Sequence, residues 1–94
     1  MENINEILEQ RGSAYGSYGL GIVFRMTVMR VIKKRYKRHH GKDMDPLFEQ
    51  YFWDIINKLS RLAVTPWHLD SWMDIVGYSK LIIEDLKEQG YADQ

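Results

Sequence analysis

Between Pro46 and Ala63 apolar residues return every three or four positions, at Phe48, Tyr51, Phe52, Ile55, Ile56, Leu59 and Leu62. At about 100° per residue these side chains fill one arc of an α-helix. Asp45 stands where a carboxylate can accept from the first free amides, and Pro46 takes the first helical position, where proline is favoured. The same period returns from Asp70 to Glu88, where Trp72, Ile75, Val76, Ile82, Ile83 and Leu86 share an arc with Ser79 among them. Asp70 is the expected cap of that helix. Asp74, Gly77, Tyr78 and Leu81 fall on its other side. A glycine inside a helix costs about 1 kcal/mol relative to alanine, so Gly77 points to a second packing contact, such as one between subunits. Only TPWHL separates the two helices. The stretch from Lys58 to Leu81 is therefore a helix end, a tight turn and a new helix, and the chain is organised around it.

Upstream, a helix is predicted from Leu20 to His39. Leu20, Phe24, Val28, Val31 and Ile32 share one face, while Ile22, Met26 and Met29 form a second apolar side. The first half of this helix is thus expected to be buried nearly all round. Its second half carries a stripe of Arg30, Lys33, Lys34 and Lys37, with Arg35 and Arg38 on the other flank. His39 and His40 follow; adjacent helical residues point about 100° apart and do not chelate one ion easily, so a frayed helix end is expected there. A short helix is predicted from Asn3 to Arg11, with Asn3 and Glu6 as a capping pair and Gly12 as its stop. The glycine-rich GSAYGSYGLG reads as a connector, since GxxxxGK[ST] is absent. These elements make an all-α fold, a single domain over residues 1–94 built as a small bundle of three long helices plus a short N-terminal one.

Ninety-four residues bury a modest core, for which oligomerisation is a natural supplement. The absence of cysteine excludes disulfides and thiolate metal sites. No apolar run approaches the ~20 residues of a membrane span, and MENINEILEQ is acidic and amphipathic, unlike a signal peptide. A cytoplasmic protein without a membrane partner is the expectation.

The zero net charge hides an uneven distribution. Residues 25–42 hold eight lysines and arginines and no acid, whereas residues 43–94 hold ten acids against four bases. Positive charge in a last helical turn offsets the helix dipole, but that accounts for two or three bases. The remainder predicts a surface for nucleic-acid phosphate, a nucleotide or an acidic protein. Trp53 lies off the apolar arc of its helix and needs cover. With Trp67 it is a candidate anchor beside Arg30, Lys33, Lys34, Lys37 and Arg38.

Three motifs add a resemblance. Arg11, Gly12, Tyr15 and Gly16 spell R-G-x-x-Y-G, Lys58 and Arg61 spell K-x-x-R, and Asp70 to Tyr78 spell D-S-W-x-D-I-x-G-Y. Together they resemble a family of small helical phage and prophage proteins of unknown function. That family is loosely similar to all-α nucleoside triphosphate pyrophosphatases of the MazG type. The latter are oligomeric bundles in which four carboxylates from two helices bind Mg²⁺ for cleavage between the α- and β-phosphates. Carried onto this chain, the resemblance implies Glu49, Asp54, Asp70 and Asp74 as metal ligands, with Lys58 and Arg61 offsetting phosphate charge.

The residues fit that pattern only in part. Magnesium requires several hard oxygens in near-octahedral array. Asp70 and Asp74 share a helix face, but Glu49 and Asp54 are five apart and diverge by about 140°. Gln50 stands where related sequences often carry an acid. The plainer reading of Asp70, Asp74, Lys58 and Arg61 is a cap plus ion pairs between helices, with Asp74 meeting Lys58 or Arg61 across the turn. The expected function is accordingly that of a phage or prophage accessory protein without a cofactor, binding a host protein or other anionic target and inhibiting a host or defence system. The alternatives are a Mg²⁺-dependent pyrophosphatase and a nucleic-acid-binding protein, the last without a zinc or helix-turn-helix signature.

Overall fold

The computed structural model describes residues 16–91, and the helix expected from Asn3 to Arg11 lies outside them. The described residues form three helices and no strand: α1 (Tyr18–His40), α2 (Pro46–Val64) and α3 (Leu69–Glu88). α2 is the central element. It packs against α1 on one flank and α3 on the other, and it runs antiparallel to both.

Local chemistry sets the boundaries. The Asp45 carboxylate accepts from the Leu47 amide at 2.9 Å, with Pro46 at the first helical position. α1 stays regular through His40, so the end expected to fray does not: Gly41 turns left-handed (φ 70°) and its amide closes onto the Lys37 carbonyl at 2.8 Å. Glycine adopts that conformation at no steric cost. His40 rests against Tyr36 one turn earlier, ring centroids 4.2 Å apart. α3 begins a residue before the expected cap, with His68 at the N-cap and Asp70 inside the first turn. There its charge still favours the positive end of the helix.

α1 and α2 come close near the open end of their seam. A side chain at Gly21 would meet Arg25 Nη1 at 3.1 Å and the Ser60 hydroxyl at 3.4 Å, so the helices approach closely there. At the other end the Lys33 ammonium lies 3.2 Å from the Glu49 carboxylate. The α2–α3 seam is fixed at both ends. The Lys58 ammonium sits 2.9 Å from Asp74, and the Tyr51 hydroxyl donates to Asp85, whose carboxylate also accepts from Gln89 at 2.8 Å. Ser71, fully buried, shares a 2.7 Å hydrogen bond with His68 Nδ1.

Apolar burial is thin among the described residues. Met29, Met44, Ile56 and Leu62 form the buried core, each contributing about 1.5–3 kcal/mol. Two expectations change. α1 is not buried all round: Leu20, Val23, Met26 and Val31 remain more than half exposed. α3 docks through Ser71, Ile75, Tyr78, Ile82 and Asp85, leaving Trp72, Val76 and Ile83 of the expected arc outside. No helix among the described residues is long and apolar enough to cross a membrane.

Candidate functional site

Arg30, Lys33, Lys34 and Lys37 occupy successive turns of α1 on the side that looks across to Trp53 of α2. Together with Met26, Met29 and Asp43 they line an open groove of about 340 Å³. The methionines and the indole form its apolar wall and the four cations its rim. α1 itself supplies part of the cover that Trp53 needs, and the ring is half-buried rather than free. Arg38 and Trp67 lie outside this groove; Trp67 is exposed on the α2–α3 turn.

The groove is partly answered by the protein's own acids. Lys33 pairs with Glu49, and Lys37 pairs with Asp43 at 3.3 Å, with both members of the second pair well exposed. Pairs of this kind contribute about 0–1 kcal/mol each. They hold the lysines in place without cancelling the surplus that Arg30 and Lys34 add.

A second cationic cleft opens at the other end of α2. It measures about 370 Å³ and is lined by Arg25, Lys58, Arg61, Asn57, Tyr18 and Tyr78, with the buried Ser60 at its base. Lys58 and Arg61 were legible as a K-x-x-R pair. Arg25 was not, because its number places it in the basic run while its position on α1 carries it to the opposite end. The signal available in the sequence was the i, i+4 spacing of Gly21 and Arg25, which puts a cation one turn from a glycine where α1 lies close to α2.

The carboxylates do not gather. Glu49 turns to Lys33 on the α1 side and Asp74 to Lys58 on the α3 side. Among the described residues no three His, Asp or Glu side chains are placed to hold a metal ion. Glu49, Asp54, Asp70 and Asp74 therefore do not form the four-carboxylate set within one chain. Among the described residues one titratable group is clearly perturbed: the hydrogen bond to Asp85, then partial desolvation, raise the Tyr51 hydroxyl above its ordinary value of 10.0.

Comparison of the chain with protein families, with curated proteins and with solved structures finds no match.

Proposed function

We propose that the protein is a non-catalytic binding module, a phage or prophage accessory protein that engages an acidic host protein through the α1–α2 groove. The observation that carries this reading is the convergence of Arg30, Lys33, Lys34 and Lys37 on one groove walled by Trp53 and two methionines. Lysine and arginine on a rim steer an acidic partner, and an indole in the wall gives it an apolar anchor. The test is capture from host lysate by the wild type and by an R30E/K33E/K34E/K37E variant, followed by titration of the captured protein. Loss of binding in the variant with helicity unchanged is expected; equal binding by both would overturn the reading. Duplex DNA that binds more tightly than the captured protein, with affinity falling steeply as salt rises, would favour nucleic acid instead.

A second reading is favoured by the other cleft, where Arg25, Lys58 and Arg61 converge. A nucleotide bound here would draw Lys58 away from Asp74, its phosphates meeting Arg25 and Lys58 and its base Tyr18 or Tyr78. In a Mg²⁺-dependent pyrophosphatase the metal would be held by Asp70 and Asp74 with carboxylates from another subunit, and it would offset charge on the transferring phosphate. Pyrophosphate release from nucleoside triphosphates, lost in Asp74→Asn, is the expected result; silence with Mg²⁺ and Mn²⁺ across the panel removes this reading.

A further inference from the structure

The outer face of α3 is apolar and uncovered among the described residues. Leu69, Val76 and Ile83 follow one another at intervals of seven along it, with Trp72 and Met73 between. Leu69 and Val76 are about 70% exposed, Met73 is 61% exposed, and Ile83 and Trp72 are about half exposed. The Trp72 indole N–H donates to the Pro66 carbonyl at 2.8 Å. That bond fixes the ring and leaves its outward surface without a polar group to satisfy. Gly77 sits at the edge of the same stripe, and a side chain there would meet nothing within 4 Å. Neither a positive φ nor internal packing requires a glycine at this point, and helix propensity argues against one. Approach of something from outside would require it.

We infer that this face pairs with the same face of a second copy of the chain, antiparallel, about a two-fold axis at Val76. The stripe is self-complementary about that residue. With Val76 against itself, Leu69 falls opposite Ile83, Met73 opposite the small Ser79, and Lys80 opposite Trp72. An ammonium over an indole face is a favourable contact, and more so when both are desolvated. Seven-residue spacing is the pattern of helices that pack along a seam. The five apolar residues are each about half to seven-tenths exposed, so most of their surface is available to a partner, toward the ~800 Å² per side of a standard interface to which flanking polar residues also contribute. None of the residues lining the basic groove lies on this face, so pairing leaves both grooves open and stands independently of what they bind.

Sedimentation of the full chain from about 1 to 100 µM tests the pairing. A dimer is expected. Val76→Glu, at a site too exposed to disturb the monomer, should give a monomer of unchanged helicity. Lys80→Glu should weaken association at least tenfold while Lys80→Arg retains it. Gly77→Ala supplies the discriminating readout: it should raise the melting temperature of the Val76→Glu monomer and weaken association of the wild-type dimer. Two results overturn the inference. One is a monomer across the whole range, as expected if another segment or a foreign partner covers the stripe. The other is a dimer indifferent to Val76→Glu, which would place the contact elsewhere, for example on the Leu20–Val31 side of α1.

Discussion

The two seams of α2 use the same kinds of residue to opposite effect. At the α2–α3 seam Lys58 is only 16% exposed and meets Asp74 at 2.9 Å, so cation and acid are spent on each other and on the register of the helices. At the α1–α2 groove Lys37 and Asp43 are 63% and 82% exposed at 3.3 Å, and the pairing leaves the charge available. Coulomb attraction between charges in water is worth about 1 kcal/mol at such separations and rises as the surroundings lose water. Burial, more than the identity of the partners, separates a latch from a landing surface.

Reversing the charge of the groove gives the largest expected effect. R30E/K33E/K34E/K37E should lower affinity for an acidic partner at least about a hundredfold, roughly 3 kcal/mol, while the helical circular dichroism spectrum is retained. Titration of a captured partner at two ionic strengths checks this. An affinity loss that comes with lost helicity would make the groove lysines structural, like Lys58.

At the latch, Asp74→Asn should destabilise the fold by about 1 kcal/mol, since Lys58 then lies largely buried without its charge partner. A shift of this size moves the melting temperature of a domain this small by about 4–8 °C. An unchanged melting temperature together with lost pyrophosphate release would instead make Asp74 a metal ligand. The same seam carries a pH signature at Tyr51. Its hydroxyl, donating to Asp85, keeps its proton in the folded state above pH 10.0, where the unfolded chain has begun to lose it. The stability this adds is fully present below pH 10 and is lost as pH rises through the folded value. Tyr51→Phe should therefore show a smaller alkaline loss than wild type in urea denaturation on either side of pH 10.

Helix positions were legible because their signals are local: Asp45-Pro46 opens α2 and Gly41 closes α1. Docking faces were not, because they depend on polar residues whose partners are distant in sequence. Counting apolar residues alone put the contact arc of α3 on Trp72, Ile75, Val76, Ile82, Ile83 and Leu86, of which Ile75, Ile82 and Leu86 are half-buried while Trp72, Val76 and Ile83 stay outside. The helix in fact turns about 70° from that arc, at 100° per residue, to bury Ser71 and half-bury Asp85. Their partners His68 and Tyr51 make that burial tolerable. The basic run shows the same limit. Composition found the cations of Arg25 to Lys42, but Arg25 belongs to one cleft and Arg30 to Lys37 to the other, as only the antiparallel register of α1 against α2 decides.

The smallest effect is expected at Glu49. Glu49 is 22% exposed and holds Lys33, which is 46% exposed, at 3.2 Å. It is intermediate between the latch and the open pair. If the groove is a landing surface, Glu49 is a competitor for Lys33 as well as a tether. Glu49→Gln should then change stability by no more than about 0.5 kcal/mol and tighten an acidic partner several-fold, because the negative charge that competes for Lys33 is gone. If Glu49 instead behaves as Asp74 does, the same substitution should cost stability on the scale of Asp74→Asn and leave binding unchanged or weaker. Melting and titration of the one variant separate these outcomes, because attraction to a partner and attraction within the seam respond to the lost charge with opposite signs.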